Sequence, residues 1–204
     1  TSGGNPGNNL SDIAQELYVH GYPIEAREIN DKAIEWYQSR PEEEFLSLRE
    51  EFFEASYFSL FVLEDADPSP AGAEQGNITG TIGQTRDAQI EEMRRTINDL
   101  ESEDPDDQEI KVLKGMLAAK IGDLDTAQKM FNWLGDLDGK YIRGSNISRQ
   151  AAIAAALGEN SRAVTLLQDA FRKGRVFGTN FHRFYPFYPL HDFPEFEDFI
   201  KPKG

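Results

Sequence analysis

The chain has 204 residues, 39% of them hydrophobic and 28% charged, a composition that excludes a disordered tail and leaves room for one large or two small domains. With 21 basic against 36 acidic residues the net charge is −15, which repels phosphate backbones and anionic lipid and argues against nucleic acid and membrane as partners. The absence of cysteine removes disulfides, cysteine nucleophiles and thiolate metal sites together.

The first residues, Thr1-Ser2-Gly3-Gly4-Asn5-Pro6-Gly7, have neither the basic start nor the apolar stretch of a signal peptide, and no apolar run approaches the ~20 residues of a membrane-spanning helix. Lacking an initiator Met, the chain is expected to be a piece of a longer protein, with a cytoplasmic location favoured. Residues 1–9 are expected to be a flexible segment, and helical repeats are expected over 10–175.

A repeated frame organises residues 10–175. The first copy has Ala14, then Gly21-Tyr22-Pro23-Ile24-Glu25-Ala26, then Ala33. The second has a first helix from Phe45 to Leu63 with Ala55 as its small residue, and a second helix from Thr85 to Ser102 with Met93, Ile97 and Leu100 on its apolar stripe. Between these two helices, residues 64–83 are rich in Gly, Pro and small side chains, without helical period. A loop of that length is either an unpacked excursion or an arm that contacts a partner. In the third copy Gly115 precedes Gly122-Asp123-Leu124-Asp125-Thr126-Ala127 and Phe131; in the fourth Ala151 precedes Gly158-Glu159-Asn160-Ser161-Arg162-Ala163 and Leu167.

Two antiparallel helices approach closely where one carries a small side chain, so Ala14, Gly115 and Ala151 are expected to face Ala26, Ala127 and Ala163. Glycine is the residue of least strain at a left-handed helix end, and Asp123 or Asn160 then caps the next start. Ahead of the third copy, Pro105 closes the preceding helix and Asp106 with Glu109 reads as a capping box. The tail, residues 176–204, holds nine aromatics from Phe177 to Phe199; it is expected to cap the last apolar face of the array with a short helix near Pro194 to Ile200. From Ala170 to His191 there is no Asp or Glu, while Arg172, Lys173, Arg175 and Arg183 occur. Those cations either complement a helix end or form a docking patch for an acidic partner.

The small residue in the first helix, the Gly between helices and the Ala-x-x-x-aromatic of the second, here Gly115, Gly122, Ala127 and Phe131, resemble the tetratricopeptide repeat. The stretch from Asp107 to Gly204 resembles the C-terminal repeat region of long bacterial proteins that carry kinase or transcription-regulator domains upstream. The resemblance implies an all-α fold, a right-handed superhelical array of antiparallel helical hairpins with a C-terminal capping segment. It also implies a protein-interaction or scaffold module that presents a concave groove to a peptide or protein partner. The alternative is a regulatory ligand-sensing domain of a larger kinase or transcription regulator; a peptide needs an open face, a small effector a closed apolar pocket.

Enzymatic chemistry is not expected. The three histidines, His20, His182 and His191, are not paired at helical metal spacing, and there is no nucleophile elbow, phosphate-binding loop or dinucleotide fingerprint. No catalytic, cofactor or metal residue is therefore assigned. In the repeat frame, first-helix positions turned away from the small residues line the groove, which selects Tyr18, Arg49, Phe52, Val112, Met116, Lys120, Ser145 and Ser148 as partner-binding residues.

Overall fold

A computed structural model describes residues 5–63, 85–137, 143–178 and 181–201. Every regular element among them is helical: α1 (Pro6–Val19), α2 (Pro23–Gln38), α3 (Glu42–Leu46), α4 (Arg49–Phe58), a π-helical turn (Ser59–Leu63), α5 (Arg86–Glu103), α6 (Gln108–Lys120), α7 (Leu124–Gly135), α8 (Ser145–Ala156) and α9 (Asn160–Arg172). Two 3-10 segments, Phe181–Arg183 and Tyr185–Leu190, then lead to α10 (Pro194–Ile200). The chain divides into two compact units, Thr1–Thr96 and Ile97–Gly204. The inserted stretch at 64–83 lies outside the described residues.

In the first unit α1 packs on α2, and α4 on both. Contrary to the expected flexible start, α1 begins at Pro6. Asn5 caps it, its Oδ1 accepting from the Asn8 amide at 2.8 Å, and proline supplies the first helical position. Gly7 lies so close to α2 that an added Cβ would stand 2.6 Å from Tyr37 Cζ. The buried Tyr37 hydroxyl donates to Asn8 Oδ1 at 2.5 Å, and burial pushes this phenol well above its ordinary pKa, keeping it a donor. Ala33, Ile34, Tyr37, Phe52 and Ala55 form the core here.

The helix expected from Phe45 to Leu63 is interrupted at Ser47 and Leu48 and ends in the π-turn. Two arginines serve that turn: Arg27 Nη2 donates to Leu63 O at 2.6 Å, and Arg86 Nη1 donates to Leu60 O at 3.2 Å while its guanidinium lies over the Phe61 ring. Met93 and Ile97 of α5 are buried as their apolar phase requires.

In the second unit α6 packs against both α7 and α8, and α8 against α9. Asp107, rather than Asp106, caps α6, its Oδ1 accepting from the Glu109 and Ile110 amides. The small residues Ala127, Ala151 and Ala163 are fully buried in this unit, as are Ala14 and Ala26 in the first. Side chains of α8 reach the backbone of the last turns of α7: Asn146 Nδ2 donates to the Leu134 carbonyl, open at the helix end, at 3.2 Å and Gln150 Nε2 to Phe131 O at 2.9 Å. Glu101 accepts from Lys111 at 2.6 Å and from Lys114. Burial alone would raise its carboxyl, but the two lysines outweigh it and hold the pKa below the usual value.

The first helices of three hairpins end alike. Gly21, Gly122 and Gly158 have φ of +84°, +80° and +76°, and each turn is closed by the two backbone hydrogen bonds of a Schellman motif, for example Gly158 N to Ala155 O and Glu159 N to Ala154 O. Gly174, φ +92°, repeats the motif after α9, with Gly174 N on Phe171 O and Arg175 N on Ala170 O.

Candidate functional site

Five of the eight residues selected from the repeat frame are buried instead of lining an open groove. Phe52 is buried at 2% exposure against Tyr37 and Phe45, with ring centroids 6.4 and 5.2 Å away, and Met116 is fully buried. Val112 and Arg49 are buried too, the guanidine of Arg49 donating to Leu46 O at 2.8 Å. Ser148 is buried, and its hydroxyl donates to Ser145 O at 2.8 Å instead of facing a peptide. Tyr18, Lys120 and Ser145 are half-buried, Tyr18 meeting Phe58 edge-to-face at 5.8 Å. A helix that packs on neighbours on two sides, as α6 does on α7 and α8, buries more than one stripe, so positions opposite the small residue also face inward.

An exposed apolar surface lies instead at the end of the second unit. Tyr185, Phe187, Leu190 and Phe196 of the tail are buried, with the second 3-10 segment packed on α8 and α10 on α9. The short helix expected at Pro194–Ile200 is present at those bounds. Where α10 meets the end of α9, a groove of about 1100 Å³ opens to solvent. The α9 side contributes Gln168, Phe171 and Arg172, the α10 side Glu195, Asp198, Phe199, Ile200 and Lys201, and the intervening chain Phe177, Gly178, Phe181 and His182. Phe177 stacks at a tilt on Phe181, centroids 4.3 Å apart, and meets Phe199 edge-to-face at 5.7 Å. Phe171, by contrast, is 61% exposed.

The rim is polar and divided. Arg172 is paired with Asp169, and Lys201 Nζ lies 2.9 Å from Asp198 Oδ1. His191, within the tail, stacks on Phe196 at 5.7 Å and meets Tyr188 edge-on; burial pushes its pKa below the ordinary histidine value. No group of three or more His, Asp or Glu among the described residues has metal-binding geometry, and no described helix is long and apolar enough to cross a membrane. A different, small cavity in the first unit, lined by Ser56, Ser59, Gln89 and Met93 among others, measures about 10 Å³, the size for a single water.

The aromatic pattern of the tail points to capping alone and gives no sign of the cleft. The available signal is the alternation Phe171-Arg172-Lys173-Gly174-Arg175-Val176, in which large apolar residues interrupt a polar helix end. The chain matches no protein-family model, and no curated protein or solved structure is significantly similar to it.

Proposed function

We propose that this chain is a helical-hairpin repeat module of tetratricopeptide type that binds a protein or peptide partner, and that the partner seats in the phenylalanine groove between α9 and α10. The observation that carries the reading is the groove itself: aromatic side chains from three chain segments converge on one open cleft, and one of them, Phe171, stands largely in water. Exposed apolar surface gathered at one place, rather than scattered, marks interaction sites, and phenylalanine is enriched at their centres. An open cleft suits an extended or helical polypeptide better than a small effector, which needs to be enclosed. Four Schellman-type helix ends and the fully buried alanines of the hairpin crossings support the repeat architecture.

The test is selection of random peptides displayed on phage against the immobilised full chain. The expected result is a set of enriched peptides whose binding is lost in Phe171→Ala while the circular dichroism spectrum and Tm hold, because an exposed anchor contributes to binding and little to folding. Enriched peptides indifferent to Phe171→Ala, or no enrichment at all, would sink the assignment.

A further inference from the structure

Resting on that reading, we infer that the occupant of the groove is an acidic peptide segment: a large apolar side chain enters among Phe171, Phe177 and Phe199, and flanking carboxylates meet Lys173 and Arg175. The chain as a whole is strongly acidic, yet no Asp or Glu occurs from Ala170 to His191. Two cations that line the groove are already neutralised, Arg172 by Asp169 and Lys201 by Asp198. Lys173 and Arg175 differ. Both are exposed, and neither side chain has an ion pair or hydrogen bond with any described residue. They flank Gly174 in the turn that also displays Phe171 and Val176, the latter 82% exposed. Two cations without a partner among the described residues and two exposed apolar side chains thus share six consecutive residues, of which Phe171 and Arg172 line the aromatic cleft.

Helix-end electrostatics accounts for Arg172 and Lys173, which stand in or just after the last turn of α9. It does not account for Arg175, beyond the turn, nor for the exposed Val176. Charge complementarity does. The α10 wall presents Glu195, whereas Lys173 and Arg175 follow directly on Arg172 past the end of α9, so the exposed cations stand on the α9 side and the acid on the α10 side. A bound segment is thereby oriented with its carboxylates toward α9, and a basic peptide in that orientation is rejected. An anionic membrane would also suit cations beside aromatics, but it must approach a protein of net charge −15 as an extended surface, whereas a peptide meets only the local patch.

The phage selection, run on the full chain at 50 and 500 mM salt, tests the charge directly. Enriched peptides should carry a large apolar residue with at least two Asp or Glu within four positions. A synthetic copy of the best peptide should bind the double variant Lys173→Glu, Arg175→Glu at least about tenfold more weakly, and lose affinity in high salt, as paired surface charges do. Peptides that need Phe171 but show no acidic preference and bind the double variant equally well would overturn this inference and leave the interaction module standing; no dependence on Phe171 would overturn both. Co-sedimentation with phosphatidylserine vesicles, or a concentration-dependent dimer abolished in the double variant, would replace the peptide by a membrane or by a second copy of the chain. Unchanged helicity in the double variant is expected, since both side chains are exposed.

Discussion

Gly115 of α6 and Ile153 of α8 lie so close that a Cβ on the glycine would stand 2.4 Å from Ile153 Cδ1 and 2.9 Å from Cγ1. Ile153 is fully buried and Met130 Cβ closes the other side at 3.1 Å, so the isoleucine has nowhere to swing. Gly115→Ala gains roughly 1 kcal/mol of helix propensity but overpacks the crossing at roughly 1–3 kcal/mol, and the second effect should win. A lower denaturation midpoint is expected, with part of it restored by adding Ile153→Val, which removes the clashing methyl. If the double variant is no more stable than Gly115→Ala alone, the contact is not what limits the glycine.

Asp31 on α2 should make the first unit more stable in mild acid. Burial, with some help from Glu35 and Glu28 and against Arg27, raises its carboxyl from the usual range to about 6. Between pH 4 and 6 the folded chain therefore holds a proton that the unfolded chain has released. The associated stability is complete below about pH 4 and is lost as pH rises through 6. Asp31→Asn, which cannot ionise, should raise the Tm at pH 7.5 and change it little at pH 4; equal shifts at both values would refute the assignment.

His191 should act in the opposite sense on the tail. Burial lowers its pKa below 6.5, the nearby His182 charge acts the same way, and Asp192 and Glu197 oppose them. The neutral ring thus favours the folded state above the ordinary histidine pKa, and that contribution is lost as pH falls through the lowered one. Protection of residues 185–200 against hydrogen exchange, corrected for the intrinsic rate, should fall as pH drops below the ordinary histidine range, and His191→Phe, which keeps a ring on Phe196, should remove the pH dependence. A loss of protection that persists in the variant would point to another group.

Glu101 joins α5 to α6 through Lys111 and Lys114, and Lys111 is itself buried with its ammonium over the Trp133 ring at 5.5 Å. Removing the carboxylate in Glu101→Ala leaves that ammonium with the ring alone. A loss of about 1–3 kcal/mol is expected in urea unfolding at pH 7, smaller than for a fully buried pair because Glu101 is about a quarter exposed. Lys111→Met added to Glu101→Ala should recover part of it. No recovery would show that Lys111 is not the group left uncompensated.

The hairpins are legible in the sequence because their signals are local. Gly21, Gly122 and Gly158 announce a left-handed helix end whatever surrounds them, and the small residues before and after them mark the crossing. The helix start at Pro6 is equally readable from Asn5-Pro6, a cap followed by a first-turn proline, but a glycine-rich beginning masks it. Surface exposure is another matter. Whether Phe52 or Met116 faces water depends on which helices flank its own, and a single-helix phase carries no record of that. Conversely, Phe171 sits beside the apolar stripe of Ala163, Leu167 and Ala170, and it is exposed because α10 stops short of covering it, a relation between segments that no periodicity encodes.

The turn at Gly174 duplicates the three that end first helices, down to its pair of backbone hydrogen bonds, yet no helix follows it at once. Stopping and restarting are therefore separately written. After Gly21, Gly122 and Gly158 a new helix begins within two residues, opened by Pro23 at its first position or by Asp123 as its cap, or running on from Glu159 into Asn160. After Gly174 come Arg175 and Val176, which offer neither a cap nor a first-turn proline. The run of helices in the second unit thus breaks where the restart punctuation is missing. The chain that would have gone into another helix is released as the aromatic segment that both seals the last hairpin and shapes the cleft beside it.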